Sequence, residues 1–304
     1  MNAPVANKLV LRRSYFEASA RARVAAVLDA GSFREFLPPE ASEPSPHLAV
    51  LDIPGAFDDG VIVGSASLGG RPVLVIAQEG QFMGGAVGEI HGAKIVGLLR
   101  RAVQDKPAAV IFMADSGGVR LHEANAGLIA ISEIMRAVLD TRAAGVPVIA
   151  LVGGSCGAFG GMGIVSRLCS AIVMSEEGRL ALSGPEVIET VAGVEEFDSK
   201  DRALVWRVTG GKHRYLTGDC AELVEDDAAS FRDGAIALLA GWQEPAPASS
   251  TLRAEQARLT ERRQRFAGLR DGLDVWQALG VAEPRQIPLM DRDSLVALKK
   301  GLPA

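Results

Sequence analysis

The feature that most constrains the fold is a recurring unit: a short apolar run, a glycine turn, then a helical pattern. The run 110–114 leads into Asp115-Ser116-Gly117-Gly118, after which Leu128, Ile131, Ile134, Met135 and Val138 recur at helical spacing. The run 146–152 leads into Gly153-Gly154-Ser155-Cys156-Gly157, with a small-residue helix expected beyond it. Apolar strands without polar alternation, separated by helices, predict an α/β fold whose sheet is largely buried on both faces. Residues 171–174 and 180–182 read as further short strands.

Upstream, Phe16, Ala20, Val24 and Val27 predict an amphipathic helix over 14–30, ended by Gly31. Residues 40–46 read as a loop. The runs 48–53, 61–68 and 73–78 are β-rich, and Gly69-Gly70-Arg71-Pro72 between the last two is a hairpin signature. Pro245, Pro247 and two serines mark 243–250 as a linker, followed by an exposed helix over 252–270. The expected division is a main domain over 1–243 and a linker with helical tail over 244–304.

The 304 residues are 48% hydrophobic and 23% charged, enough for a large core and incompatible with general disorder. A net charge of −5 argues against a nucleic-acid surface. Three cysteines, Cys156, Cys169 and Cys220, cannot all pair, so a reducing, cytoplasmic compartment is expected. Residues 1–13 lack the apolar core of a secretory leader. The uncharged stretch 143–166 has the length of a membrane span, but Pro147 and seven glycines predict a buried strand feeding a glycine-lined helix instead. His47, His91, His122 and His213 are dispersed, without metal-ligand spacing, so no metal site is expected.

Glycine lets a ligand approach the main chain, and a helix starting at such a turn adds its positive end, so the two glycine turns suit an oxyanion. The plainer reading is close helix–sheet packing alone. No phosphate fingerprint follows either strand, and Gly210-Gly211-Lys212 is no Walker loop. Gly153 to Gly157 does match the Gly-x-Ser-x-Gly nucleophile elbow, and Asp198 or Asp201 with His213 would supply the order of a hydrolase triad. The alternative is a turn in which Ser155 caps the next helix. Arg120 could hold a carboxylate or phosphate, or pair with Glu123 one turn on. His122 and His91 are candidate proton donors or simply structural.

Taken together, several segments resemble the carboxyltransferase branch of the crotonase-like superfamily. They are Ala20-Arg21-Ala22-Arg23 with Leu28-Asp29-Ala30-Gly31-Ser32-Phe33, Phe82-Met83-Gly84-Gly85-Ala86-Val87-Gly88, Ser116-Gly117-Gly118-Val119-Arg120, Gly160-Gly161, and Ser183-Gly184-Pro185-Glu186-Val187-Ile188-Glu189. In order and spacing they cover residues 21 to about 227. The chain departs from acetyl-CoA carboxylase β subunits in lacking a four-cysteine zinc ribbon and in having Ser170-Ala171 where that family has Gly-Asp. Its length, its Ser155-Cys156-Gly157-Ala158-Phe159-Gly160-Gly161 variant and its tail are most similar to the β-subunit family of biotin-independent malonate decarboxylases.

That resemblance implies a crotonase-like (ββα)n superhelix with buried sheets flanked by helices, plus a helical C-terminal tail. It implies a lyase that decarboxylates malonyl-S-acyl-carrier-protein to the acetyl form. No cofactor is bound directly; a CoA-like phosphopantetheine group rides on the carrier protein. Implied partners are a homologous γ subunit, with the active site between the two chains, the acyl carrier protein and an α subunit that transfers it. No nucleic acid, membrane or metal is implied.

Loss of CO2 from a malonyl thioester leaves an enolate whose charge sits on the thioester oxygen. The protein must supply an oxyanion hole, orientation, a dry site and a proton. Each main-chain donor is worth about 3 kcal/mol. The expected donors are Gly117 or Gly118 and Gly160 or Gly161. Ser116, Gly84, Gly85 and Ser155 are expected to line the substrate, with Arg120 as anchor and His122 as proton source. Alternatives are a carboxyltransferase subunit of a biotin-dependent acyl-CoA carboxylase or malonate decarboxylase, a scaffold whose partner does the chemistry, and a serine hydrolase using Ser155.

Overall fold

The computed structural model describes residues 14–302. One sheet contains seven strands in chain order: β1 (Arg34–Glu35), β2 (Val61–Leu68), β3 (Arg71–Gln78), β4 (Ala109–Ala114), β5 (Val148–Val152), β6 (Ala171–Ser175) and β7 (Glu222–Val224). The first three are antiparallel and β3 through β7 are parallel. Gly69 and Gly70 alone join β2 to β3, with φ of 57° and 75° as a tight hairpin requires. Arg71 and Pro72, expected in the turn, already pair with Leu68 and Ser67.

The parallel strands are linked by α3 (Glu89–Asp105), α4 (Asn125–Ala143) and α5 (Gly161–Leu168), which follow α1 (Ala20–Val27) and α2 (Pro46–Val50). Because the strands stand in sequential order and crossovers share one hand, these three helices cover the same face. On that face Val110, Phe112, Val148 and Ala150 pack with Ile95, Leu99, Ile134 and Met162. The alternate residues Ile111, Met113, Ile149 and Leu151 pack with Tyr15 and Val24 on one side of α9 (Ala228–Gly241), whose Phe231 is wholly buried. The strand period of two is intact, and both sets of side chains are inside.

After a parallel strand the chain makes a single bridge before its helix, giving Val87 with Val119, Ser116 with Ala158, and Ala158 with Leu180. This is a second strand reduced to isolated residues, and it completes the strand–bridge–helix repeat of the crotonase-type superhelix. Residues 180–182 therefore contribute a bridge, not the strand expected there. Residues 48–53 are not a strand either: Ser45 accepts from the His47 N–H and Pro46 opens α2, so local capping sets a helical turn. The helix expected over 14–30 is confined to α1, because Ser19 caps it by accepting from the Ala22 N–H.

The stretch 143–166 divides into the end of α4, β5, a turn and most of α5. No helix among the described residues is long and apolar enough to cross a membrane. Beyond β6 lie α6 (Pro185–Ala192), α7 (Arg202–Thr209) and α8 (Gly211–Leu216); beyond α9 lie α10 (Ser249–Arg265), α11 (Gly272–Ala278) and α12 (Arg292–Gly301). Helix α10 buries no residue. The chain then folds back, and Trp276, Val281, Ile287 and Leu295 form a small core with Leu216 and Leu223 of the main body.

Candidate active site

Three turns at the carboxyl ends of β3, β4 and β5 stack on one another through main-chain atoms. The Gly117 N–H donates to the Gly84 carbonyl at 2.8 Å, and the Val87 N–H to the Gly118 carbonyl at 2.8 Å. One turn further, Ser116 N–H donates to Gly157 at 2.7 Å and Phe159 N–H to Ser116 at 2.9 Å. Gly118 has φ of +119°, and a Cβ there would lie 3.1 Å from the Phe159 carbonyl oxygen and 3.3 Å from the Gly160 Cα. A side chain at Gly85 would run into the Asp115 carbonyl. Only glycine permits this approach of backbone to backbone.

The sequence left two choices for each donor. The Gly117 N–H is spent on Gly84, and the Gly160 N–H donates to the Leu182 carbonyl at 2.9 Å. Gly118 N–H reaches only the Ser116 hydroxyl, at 3.1 Å. Gly161 is the first residue of α5 and its N–H has no acceptor among the described residues. Gly161 is thus the donor left free, reinforced by the positive end of α5, and Gly118, held only by a side-chain hydroxyl, is the other candidate. Gly84 and Gly117 are exposed, Gly160 and Gly161 half-buried, and Ser116, Gly85 and Gly118 buried beneath them.

Both halves hang on Asp115. Its carboxylate accepts from Arg23 at 2.8 Å and from the Cys156 N–H at 2.7 Å. Arg23 also donates to the Tyr15 carbonyl at 2.9 Å. Side chains at Gly80 or Gly154 would strike the same carboxylate, which explains two further glycines. Burial pushes the Asp115 carboxyl above its ordinary range, and the Arg23 charge opposes that shift. On the other side of the same peptide, the Ser155 carbonyl accepts from Arg179. The Ser155–Cys156 peptide is therefore gripped at its N–H by a carboxylate and at its oxygen by a guanidinium. Neither Asp115 nor Arg179 was singled out in the sequence; a charged residue at the end of an otherwise apolar strand is the signal for the first.

Arg120 is not a substrate anchor. It is wholly buried, with Nη1 donating to Asp59 at 2.9 and 3.0 Å and to Glu123 at 2.8 Å. Asp59 also accepts from the His91 N–H at 2.9 Å, and Glu123 from the Glu89 N–H at 2.7 Å. Arg120 thus ties the start of α3 to the turn after Gly118, and its role is positioning. His91 is no proton donor either: burial holds it neutral, with its pKa lowered to about 3. Its Nδ1 lies 3.0 Å from the Asp59 carbonyl and its Nε2 3.1 Å from the Gln78 amide nitrogen. His122 is exposed on the turn Leu121–Glu123 that follows Arg120.

The hydrolase triad does not assemble. Ser155 is exposed, whereas His213 is buried beside Trp276, their rings 6.1 Å apart, and burial lowers its pKa to about 3. Asp201 caps α7 and Asp198 accepts from the Lys200 N–H, so neither orients a histidine. Ser155 does not cap α5, because Gly160 holds that position and no side chain caps it. Among the described residues no group of His, Cys, Asp and Glu is arranged to hold a metal ion.

The carboxyl transferase domain family matches residues 17–265. The chain belongs to the carboxyl transferase family. It is 41% identical over 314 aligned positions to the malonyl-S-ACP:biotin-protein carboxyltransferase of Malonomonas rubra, covering 96% of this chain and 97% of that one. It is 33% identical to a propionyl-CoA carboxylase β chain of Saccharopolyspora erythraea, of whose length it spans 37% and which covers 70% of this chain. Among solved structures, a Pseudomonas malonate decarboxylase hetero-tetramer in complex with malonate superposes with a TM-score of 0.80 at 39% identity, covering 89% of this chain and 98% of the other. A Pseudomonas malonate decarboxylase hetero-dimer gives 0.67 at 37% identity, covering 84% and 100%. The fold is the crotonase type of these relatives, and the chain is an enzyme subunit of the malonate decarboxylase-type carboxyltransferase group.

Proposed function

We propose that this chain is the subunit that decarboxylates malonyl-S-acyl-carrier-protein to acetyl-S-acyl-carrier-protein and CO2, without biotin. The observation that carries the reading is a pair of main-chain donors on two turns in contact, Gly161 with a free N–H and Gly118 with one held only by the Ser116 hydroxyl. A thioester oxygen between them receives the charge that builds as the bond to the carboxylate breaks. The bonding pair passes into the enolate, CO2 leaves, and the α-carbon takes up a proton. His122, exposed just beyond Arg120, is the proton source this chain offers. The substrate arrives on the phosphopantetheine arm of the carrier protein, so the thioester is its own electron sink.

Leu121 and Leu182 are 80% and 66% exposed beside the turns, and the Leu182 carbonyl directly receives the Gly160 N–H. So much apolar surface beside a site that must exclude water supports a covering partner, the homologous γ subunit. The carrier protein and its α-subunit transferase complete the assembly in this reading. Cys156, Cys169 and Cys220 are all free, which supports a cytoplasmic setting.

A second reading is carboxyl transfer to a biotin carrier, favoured by the activity for which the Malonomonas relative is named. Both reactions pass through the same enolate. Purified complex given malonyl carrier protein should form the acetyl product and CO2 unaided. Product formed only with a biotin carrier decides for transfer, and no product under either condition sinks both readings.

A further inference from the structure

Arg179, half-buried, differs from the arginines packed into the fold. Arg23 grips Asp115, Arg120 grips Asp59 and Arg214 meets Asp219, but Arg179 has no carboxylate within ion-pair distance among the described residues. Its buried Nε has no hydrogen-bond partner. Its guanidinium lies 5.5 Å from the Phe159 ring centre and 5.0 Å from that of Trp206. A second guanidinium, Arg202, lies 5.5 Å from the same indole centre and also lacks a carboxylate partner among the described residues. Glu186 is near enough to influence Arg179 but makes no ion pair with it. Burial depresses the Arg179 pKa; the Cys156, Glu186 and Asp115 groups oppose that shift, and the Arg202 charge adds to it. Arg202 is exposed at the start of α7 and Arg179 half-buried, so the two guanidinia flanking Trp206 are open to an anion from solvent.

The pair stands at the active-site end of the sheet. The Ala158 N–H donates to the Arg179 carbonyl at 2.8 Å, two residues before Gly160, and Arg179 itself holds the Ser155 carbonyl. We propose that Arg179 and Arg202, over the ring of Trp206, form a phosphate-binding subsite for the arm that carries the malonyl thioester. This rests on the substrate reading given above. Guanidinia match phosphate oxygens with paired N–H donors, and they stack on aromatic rings while doing so. The malonyl carboxylate is the poorer occupant, because a cation on it would stabilise the ground state that must lose CO2. The pair therefore belongs at the far end of the substrate from the bond that breaks.

The test compares two probes that differ only in the phosphate, 4′-phosphopantetheine and pantetheine, titrated calorimetrically into the complex of this chain with its partner. The phosphorylated probe should bind at least about tenfold more tightly. Arg202→Gln should erase most of that preference while leaving pantetheine affinity unchanged; Arg202 touches neither the glycine turns nor Ser155. Equal affinity of the two probes for the unaltered complex, or a preference that survives Arg202→Gln, overturns the proposal. Binding needs no turnover, so a complex that prefers phosphopantetheine yet releases no CO2 keeps the subsite and loses the decarboxylase reading. The KM of Arg202→Gln then identifies the source of the phosphate: a rise with malonyl carrier protein assigns the carrier's arm, and a rise confined to malonyl-CoA assigns the free thioester.

Discussion

The Arg23 guanidinium meets the Asp115 carboxylate at 2.8 Å, and both side chains are 2% exposed. The carboxylate then takes the Cys156 N–H at 2.7 Å, so one buried ion pair between α1 and the end of β4 orients the turns after both β4 and β5.

Removing one member of such a pair leaves an uncompensated buried charge. Asp115→Asn should lower stability by about 3 to 5 kcal/mol in urea unfolding. Combining Arg23→Met with Asp115→Leu should recover much of that loss without restoring activity, because the Cys156 N–H stays unheld. An unchanged unfolding midpoint in Asp115→Asn would mean that the pair does not hold the turns.

At Gly118 the φ of +119° and the 3.1 Å approach to the Phe159 oxygen leave no room for a side chain without displacing the donor. Gly118→Ala should fold and assemble with its partner but lose roughly 100- to 1000-fold in kcat. Retained turnover would transfer the chemistry to the partner and leave this chain a scaffold.

Ser155→Ala should change kcat by no more than about threefold, since the hydroxyl has no general base to activate it. Labelling of Ser155 by a fluorophosphonate probe would contradict the disassembled triad.

His91 and His213 are buried and held neutral, each with its pKa lowered to about 3 by burial. On unfolding they return to about 6.5. The unfolded chain therefore binds more protons between those values, and the stability these groups contribute is full above pH 6.5 and lost as pH falls toward 3. His213 Nδ1 has no hydrogen-bond partner to lose. Unfolding free energies from urea titrations across pH 4 to 5.5 should fall less steeply in His213→Leu than in the unaltered chain, by nearly one proton's worth or about 1.4 kcal/mol per pH unit. Parallel curves for the two proteins would show that His213 protonates freely in the fold.

Trp276 is 1% exposed at the centre of the cluster that fastens the tail to Leu216 and Leu223. Trp276→Ala should cost that cluster about 3 to 5 kcal/mol and speed proteolysis within 243–248, while β3 to β6 stay protected from hydrogen exchange. Loss of protection throughout the sheet would make the tail part of the main cooperative unit.

Strands β4, β5 and β6 were legible because every residue in them is buried, so the apolar runs carry no competing pattern. Helix α3 carries an equally plain signal in the spacing of Ile95, Leu98, Leu99 and Ala102, which the sequence reading did not use. Helix α2 was misread because its five residues are too few for periodicity, and Ser45 with Pro46 decided it. At the site, the glycine turns and their order could be read directly, but the choice of donor could not. Gly117 and Gly118 are adjacent and chemically identical; only their acceptors, the Gly84 carbonyl for the first and the Ser116 hydroxyl for the second, distinguish them. For Arg120 the sequence offered an anchor or a pair with Glu123 three positions on; the pair is what forms, and Asp59, 61 residues away, completes it out of sight of any local pattern.

From sequence alone, then, came the α/β class, the run of glycine turns and the carboxyltransferase resemblance, all of which depend on local pattern and on residues close in the chain. Tertiary structure decided which amides remain free, which arginines are already neutralised and which are not, and that Ser155 and His213 never meet. Those outcomes depend on partners such as Arg23 and Asp115, 92 residues apart, and packing alone determines whether a buried charge finds its counterpart.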